Sequence, residues 1–318
     1  MADGPISLLD RRLLFVTGKG GVGKTSIAAG LALLAAGIGK RTLVCEVDAK
    51  GDIAAAFESG PLSFEPREVE PGLSAMVMDT EESLKEYLRI NLRLPIVTRL
   101  GPLARSFDFV ASAAPGVREI LTVGKLAYEV RERNYDLVVV DASATGHVVG
   151  QLAAPAAIHD LVRVGVVRDQ TRWMIDILRD PAICGTVIVA VPEEMPVTET
   201  LELSARLSSE TDVNLAAVVV NRVLPELFGE REEAVFNALR DDAPASMLRD
   251  ELGRDVDRVF EGADLAVRMR RSRTAHIARL AAELPPATPL VFVPELFTRA
   301  QGIRATRMVA EALGDEVL

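Results

Sequence analysis

The sequence has few of the residues on which small secreted proteins and metal-binding proteins depend. Its 318 residues include two cysteines, Cys45 and Cys184, which cannot build a disulfide framework or a four-cysteine metal site. Both occur in strongly apolar stretches, as expected for small buried side chains. A subunit-bridging iron–sulfur cluster is excluded for the same reason.

Long apolar runs are also missing. The most apolar stretch, residues 137–158, is interrupted by Asp141, His147 and Gln151, so it does not predict a membrane span. The first residues lack the basic region and the apolar region of a secretory signal. We expect a cytoplasmic protein that reaches a membrane, if at all, through a partner or an exposed groove.

The charge balance and the lack of repeats restrict the function further. The formal net charge is −10, from 46 acidic and 36 basic residues, which argues against a nucleic-acid-binding surface. Hydrophobic residues make up 49% and charged residues 26% of the chain, as in ordinary globular proteins. Without repeats, low-complexity segments or a long linker, the sequence predicts one domain over residues 11–318.

A glycine-rich motif is the strongest functional signal. It has the pattern G-x-x-x-x-G-K-T, in which backbone N–H groups surround phosphate oxygens. An apolar strand precedes it and a helix follows it, as this motif requires. Lys24 would reach the β- and γ-phosphates, and the Thr25 hydroxyl would ligate Mg²⁺. We therefore predict ATP binding by Gly18, Gly20, Gly21, Val22, Gly23, Lys24, Thr25 and Ser26.

Lys19 is a second lysine within this loop, at a position where an ordinary phosphate-binding loop needs no charge. A cation near the γ-phosphate could stabilise the charge that develops in the transition state. The alternative is a loop lysine that contacts only solvent.

Short β-branched runs alternate with helical patterns along the chain. They predict an α/β fold, a P-loop NTPase with a mostly parallel sheet covered by helices on both faces. Ligands bind beyond the carboxyl ends of such strands, where Asp48, Asp141, Asn221 and Pro294 follow four of the runs. The predicted strands are 13–17, 42–47, 74–78, 137–140, 186–191, 215–220 and 290–293.

Residues 79–133 predict a helical insertion between two strands. Residues 79–82 are typical of a helix start, and prolines and glycines divide the rest into short helices. The stretch 94–110 is rich in apolar side chains. It either packs onto the main domain or forms part of a surface for an apolar client or partner.

Two aspartates occupy positions that phosphate chemistry uses. Asp141 ends a strand beside the loop and could hold Mg²⁺. Asp48 ends another and could aim a water molecule at the γ-phosphate, although a purely structural aspartate is the alternative. Gly146 and the small residues after Asp141 predict a loop that senses the γ-phosphate, while His147 has either a functional or a structural role.

Together these motifs resemble the family of ATPases that drive arsenite pumps, which includes the eukaryotic ATPase that targets tail-anchored membrane proteins. The resemblance extends over residues 11–314 and is strongest to bacterial, particularly actinobacterial, members. It rests on the loop with Lys19, Asp141-x-x-x-Thr145-Gly146-His147, residues 192–200 and Asn221-Arg222-Val223-Leu224-Pro225.

The resemblance implies a role for single residues. Lys24 and Thr25 would bind phosphate and Mg²⁺, with Asp141 supporting the metal. Asp48 would orient the attacking water, and Lys19 would act across a dimer. Asn221 would contact adenine, since an amide both donates and accepts hydrogen bonds, and Pro294 joins the nucleotide-binding set. Because the chain has one phosphate loop, a composite site needs a second polypeptide, either identical or a paralogue.

The sequence departs from the family pattern at three points. The family usually has Asp-Pro-Ala where this chain has Asp48-Ala49-Lys50-Gly51-Asp52. This difference affects the expected geometry of the switch loop and the expected rate of hydrolysis. The arsenite-binding cysteines are missing. The Cys-x-x-Cys that joins two subunits through zinc is missing after Asn221 as well.

The leading hypothesis is a Mg²⁺-dependent ATPase whose ATP binding and hydrolysis open and close a homodimer or heterodimer. This cycle would drive membrane-protein handling, with a membrane-protein client or membrane partner, or anion- or metalloid-related transport. The alternative is a poorly hydrolysing, nucleotide-binding regulatory subunit. A chromosome-partition or division-site ATPase is disfavoured, because residues 309–318 are acidic and no basic membrane-seeking helix occurs there.

Overall fold

The described part of the chain is built on one eight-stranded sheet. The computed structural model describes residues 7–92, 116–253 and 255–318. Their strands are β1 (Leu13–Gly18), β2 (Thr42–Glu46), β3 (Arg67–Glu70), β4 (Leu73–Val77), β5 (Leu137–Asp141), β6 (Cys184–Ala190), β7 (Leu215–Val223) and β8 (Leu290–Pro294). They pair in the order β3-β4-β2-β5-β1-β6-β7-β8.

Helices connect these strands and cover both faces of the sheet. Within the described ranges they are α1 (Lys24–Gly37), α2 (Asp52–Ala56), α3 (Thr80–Leu92), α4 (Val117–Arg131), α5 (Thr145–Leu161), α6 (Val166–Arg179), α7 (Glu194–Glu210), α8 (Glu230–Leu239), α9 (Asp242–Leu252), α10 (Asp255–Glu283) and α11 (Gly302–Val317). None of these helices is long and apolar enough to cross a membrane.

The predicted α/β architecture with a mostly parallel sheet is confirmed. Every neighbouring pair of strands is parallel except β3 and β4. All seven predicted strands are present, with ends that differ by up to three residues. Strand β3 was not predicted, because its sequence Arg67-Glu68-Val69-Glu70 is mostly charged and lies exposed or half-exposed at the sheet edge.

Two hydrophobic cores lie on opposite faces of the sheet, which explains why the central strands are apolar at consecutive positions. Leu13 and Phe15 of β1 point into the first core, among side chains of α4, α5, α6, α7 and α10. Leu14 and Val16 point into the second core, among side chains of α1, α2 and α11. Strand β1 is buried along its whole length.

Helices α3 and α4 lie between β4 and β5, where the helical insertion is predicted. They are joined by an ion-pair cluster in which Lys125 of α4 contacts Glu86 of α3 at 2.8 Å and Glu129 at 2.7 Å. Residues 93–115, which include the apolar stretch 94–110, lie outside the described residues. The boundaries 79–133 for the insertion and 11–318 for the domain stay predictions.

Gly18 marks the point where β1 leaves the sheet, and its environment requires glycine. Its φ is +147°, and an added Cβ would lie 2.2 Å from the carbonyl oxygen of Val189. An added Cβ on Gly20 would meet no atom within 4 Å.

We expect Gly18→Ala to lower the free energy of unfolding by about 3 kcal/mol or more, measured by urea denaturation. Gly20→Ala is the control, and equal unfolding midpoints for the two variants would contradict this explanation.

Candidate active site

The phosphate loop runs from the end of β1 to the start of α1. Gly21 and Gly23 have φ values of +86° and +95°, a left-handed backbone that glycine adopts without strain. Added Cβ atoms on Gly20 and Gly21 would meet nothing within 4 Å. The loop is therefore an open cradle of backbone N–H groups at a helix N-terminus, which suits an anion. The Val22 side chain is buried in the core, so this residue can contribute only its backbone.

Lys24 is the first residue of α1, and its ammonium group lies under the loop. Its Nζ donates a hydrogen bond to the Lys19 carbonyl oxygen at 3.3 Å. Burial lowers the pKa of Lys24, although the nearby Asp141 charge raises it in part. A bound phosphate would restore favourable electrostatics to this half-buried cation. The position agrees with the phosphate-binding role predicted for Lys24.

Thr25 and Asp141 are adjacent, as predicted for a magnesium site. The Thr25 hydroxyl donates a hydrogen bond to Asp141 Oδ2 at 2.7 Å. The other carboxylate oxygen, Oδ1, is buried and has no hydrogen-bond partner within the described part of the chain. Burial raises the pKa of Asp141 from 3.8 to about 6, although the Thr25 hydrogen bond and the Lys24 charge lower it. This carboxylate is thus incompletely satisfied.

These two side chains fit Mg²⁺, which prefers hydroxyl and carboxylate oxygens. The described residues contain no cluster of three or more His, Cys, Asp and Glu side chains that could enclose a metal. The protein would therefore supply a small part of the coordination sphere. Nucleotide phosphates and water would supply the rest, which is the usual arrangement for this ion.

Asp48 lies near the phosphate loop and is linked to it through Ser143. The Ser143 hydroxyl donates a hydrogen bond to Asp48 Oδ1 at 3.1 Å, and the Thr17 hydroxyl donates one to the Ser143 carbonyl oxygen at 3.0 Å. Lys50 Nζ lies 3.7 Å from Asp48 Oδ2. Ser143 therefore connects its own loop after β5 with the loop after β2 and with the end of β1, a role that sequence reasoning did not assign to it.

The loop after Asp48 differs from the family pattern in its backbone as well as in its sequence. Ala49, where the family usually has proline, has a φ of +49°. Proline is restricted to φ near −65° and cannot adopt this conformation. The loss of proline therefore accompanies a different path of the chain immediately after Asp48.

Glu46 is a residue of the site that sequence reasoning missed. It is 2% exposed at the end of β2 and pairs in register with Asp141 of β5. Its carboxylate accepts hydrogen bonds from the backbone N–H groups of Lys50 and Asp52 at 2.8 and 3.1 Å. The available signal was a single charge inside the otherwise apolar strand 42–47.

Lys19 has a partner within its own chain. Its Nζ lies 2.6 Å from Glu199 Oε1 of α7, and about a third of each side chain is exposed. Glu199 belongs to the segment 192–200 on which the family resemblance partly rests. The lysine is therefore directed toward α7 in the single chain, and its predicted action across a dimer stays a prediction.

Asn221, predicted to contact adenine, braces the phosphate loop. Its side-chain amide donates a hydrogen bond to the Val22 carbonyl oxygen at 2.8 Å and accepts one from the Arg222 N–H at 2.9 Å. An added Cβ on Gly23 would lie 2.5 Å from Asn221 Nδ2. Pro294 lies opposite Val223 at the end of the neighbouring strand β8. The adenine contact of Asn221 and the nucleotide contact of Pro294 stay predictions.

The two cysteines cannot act together. Both are fully buried, and burial raises the pKa of both thiols. Cys45 lies on β2 and Cys184 on β6, with β5 and β1 between them. Three strand spacings separate them by about 14 Å, too far for a disulfide bond or for a shared metalloid.

Comparison with known proteins identifies the family to which this site belongs. The family model for anion-transporting ATPases matches residues 11–172 and 161–243. The chain belongs to the anion-transporting ATPase family. The matched residues include the phosphate loop, Asp48, Asp141 and Asn221, whereas Pro294 lies beyond them.

Individual relatives are similar to most of the chain. ATPase BagA of Mycobacterium tuberculosis is 34% identical over 232 residues, which are 70% of this chain and 68% of BagA. A Halobacterium salinarum protein whose name describes an arsenical pump-driving ATPase is 28% identical over 252 residues, 72% of this chain and 38% of that protein. ATPase GET3 of Chaetomium globosum is 29% identical over 170 residues, 52% of this chain and 50% of GET3.

These similarities confirm the predicted family and the predicted likeness to actinobacterial members. They also confirm the prediction of an enzyme, because the family and these relatives are described as ATPases. Nucleotide binding follows from the same family membership and agrees with the open cradle of the loop.

The raised pKa of Asp141 predicts that its ionisation destabilises the folded protein, so stability should depend on pH. Its pKa is higher in the folded chain, about 6, than the ordinary 3.8, so the folded state loses stability as pH rises from about 4 to about 7. Asp141→Asn removes this loss. Without Mg²⁺ and nucleotide, the variant should gain stability over the wild type as pH rises, by up to about 3 kcal/mol.

This difference can be measured by urea unfolding of the two proteins at several pH values. Asp136→Asn is a suitable comparison, because Asp136 is paired with Arg41 at the surface, which lowers its pKa. The dependence for that variant should have the opposite sign. A difference between Asp141→Asn and wild type that does not change with pH would contradict the explanation.

Proposed function

We propose that this ATPase couples Mg²⁺-dependent ATP hydrolysis to the closing and opening of a dimer, and that this cycle drives membrane-protein handling. The observation that carries the proposal is the unsatisfied Oδ1 of Asp141, next to Thr25 and Lys24 at the mouth of the phosphate cradle. A buried carboxylate with a free oxygen beside a phosphate site is suited to a metal–nucleotide complex.

The residues of the site have distinct roles in this proposal. The backbone N–H groups from Gly18 to Ser26 hold the phosphates, and Lys24 neutralises the β- and γ-phosphates. Thr25 and Asp141 hold Mg²⁺, which withdraws charge from the phosphate oxygens. Asp48 accepts a hydrogen bond from the attacking water and holds it in line with the γ-phosphate. The Ser143 hydroxyl holds the Asp48 carboxylate in place beside the phosphate loop through its hydrogen bond.

The Lys19–Glu199 pair supports a dimer cycle. The Lys19 ammonium group lies 2.6 Å from the Glu199 carboxylate, which draws it toward α7 in the single chain. In the proposed cycle, the phosphates of a partner subunit's nucleotide compete with Glu199 for Lys19. ATP then favours the closed dimer because it makes contacts there that the open state lacks, and hydrolysis removes them.

Two features favour a membrane-protein client over a metalloid. The separated, buried cysteines exclude ligation of one arsenite by both thiols of a chain. A cavity of about 490 Å³ lies between α3, α4 and α6, and most of its lining surface is apolar. Such a cavity suits an apolar ligand or segment. Its apolar lining includes Leu84, Ile90, Ile120, Leu121, Trp173 and Met174.

One contact favours the second candidate, a regulatory subunit that binds ATP but hydrolyses it poorly. Lys50 lies 3.7 Å from Asp48 Oδ2, where it competes with water for the carboxylate. Both side chains are substantially exposed, so this attraction is weak. We therefore favour the active ATPase.

Steady-state phosphate release from the pure protein with Mg·ATP tests the proposal first. Lys24→Ala should abolish turnover because it removes the phosphate cation. Asp48→Asn should lower kcat by about 100-fold or more, while ATP still binds. Glu68→Gln is the control, since Glu68 is an exposed carboxylate on the edge strand β3. Binding of ATP without turnover by the wild type would support the regulatory subunit instead.

The dimer step is tested by light scattering with and without ATP. Glu199→Gln should strengthen ATP-dependent dimerisation, up to about tenfold, because a partly exposed ion pair no longer has to be broken. Glu202→Gln changes an exposed carboxylate on the same helix and should leave dimerisation unchanged. A protein that stays monomeric with ATP in every variant would disprove the dimer mechanism.

A further inference from the structure

Glu46 is a buried carboxylate whose charge no cation balances among the residues that the structure describes. It is 2% exposed, and within the described ranges it takes part in no ion pair. Its charge is satisfied by backbone donors: the N–H groups of Lys50, Asp52 and Ile53 lie 2.8, 3.1 and 3.4 Å from its two oxygens. Charge-assisted hydrogen bonds of this kind are stronger than neutral ones.

These three hydrogen bonds close a loop around Asp48. The loop leaves the sheet at Glu46 and runs into α2, whose first residues are Asp52 and Ile53, so one side chain holds both ends of the loop. Within it, Ala49 and Gly51 have left-handed backbones, with φ of +49° and +82°. A residue other than glycine keeps such a left-handed backbone conformation only where surrounding contacts enforce it. The Glu46 carboxylate supplies those contacts.

The near end of the loop is fixed by the sheet. The Val47 N–H donates to the Asp141 carbonyl oxygen at 3.2 Å, and the Met78 N–H donates to the Glu46 carbonyl oxygen at 2.8 Å. Asp48 therefore lies between a backbone anchored to β5 and a turn anchored to the Glu46 side chain. Its direction toward Ser143 depends on both anchors.

We propose that Glu46 is a positioning residue for hydrolysis, which fixes the Asp48 carboxylate by holding the backbone of residues 50–53. Glu46 touches neither nucleotide nor water in this proposal and acts only through Asp48. The proposal therefore rests on the role proposed for Asp48.

The location of Glu46 is unfavourable if its role is stability alone. It is the register partner of Asp141 on the next strand, so two carboxylates end neighbouring strands. Burying like charges side by side costs free energy that a neutral side chain at the end of β2 would avoid. Such local conflicts concentrate at functional sites.

A double-mutant cycle on the full-length protein tests the proposal. The variants are Glu46→Gln, Asp48→Asn and the two combined, each measured for single-turnover hydrolysis and for ATP affinity. Glu46→Gln should lower the hydrolysis rate about 10- to 100-fold, because a small misplacement of a catalytic group has effects of this size. ATP affinity should change less than about threefold, since Glu46 does not contact phosphate. In the Asp48→Asn background, Glu46→Gln should have no further effect.

Hydrogen exchange supplies a readout that is independent of activity. Glu46→Gln should speed exchange of the amides of Lys50, Asp52 and Ile53, whereas Asp48→Asn should not. Glu68→Gln is the matched control, because Glu68 also accepts a backbone N–H, that of Gly72 at 3.0 Å, but on the distant edge strand. Glu46→Asp, which keeps the charge, replaces Glu46→Gln if the latter does not fold, and the same outcomes apply to it.

The outcomes separate this proposal from the one on which it rests. Wild-type turnover in Asp48→Asn would disprove the role of Asp48. A second outcome is that Asp48→Asn slows hydrolysis as expected and that the rate losses of the two single variants multiply in the double variant. Glu46 would then act independently of Asp48, which overturns the inference. Unchanged amide exchange in Glu46→Gln would overturn it too.

Discussion

Two carboxylates that end neighbouring strands are the constraint on which the site depends. The register between β2 and β5 places Glu46 beside Asp141, and both are buried. Each must find compensation for a charge that water no longer solvates. Glu46 obtains it from the backbone of the following loop, whereas Asp141 obtains, within the described residues, one side-chain hydrogen bond from Thr25 and the nearby charge of Lys24. The Glu46 carboxylate therefore stabilises the loop that follows it, whereas the Asp141 carboxylate remains able to bind a ligand.

Much of this arrangement was predictable because it follows from local patterns. A strand that is buried on both faces is apolar at consecutive positions, and a parallel sheet directs the residues after its strands to one edge. These two rules placed Asp48, Asp141, Asn221 and the phosphate loop together. The loop motif itself requires glycine for its backbone angles, so its function was visible in the sequence as well.

The remainder depended on contacts that a local pattern does not contain. Lys19 and Glu199 are 180 residues apart, and only the packing of α7 against the sheet brings them together. Glu46 was hidden because a charge within an apolar strand does not reveal its partners, which here are backbone groups. Strand β3 was missed because it forms at the edge through pairing with β4, although its charged sequence has no apolar face.

The position of β1 has a consequence for how the chain folds. This first strand is the fifth in the sheet, between β5, which begins at Leu137, and β6, which begins at Cys184. During synthesis, β1 must wait for more than a hundred further residues before either neighbour is available. Such distant pairings make folding slow and leave apolar strands exposed to aggregation. The nucleotide-binding loop, although it is encoded near the beginning of the chain, can thus be secured only after these later strands have been made.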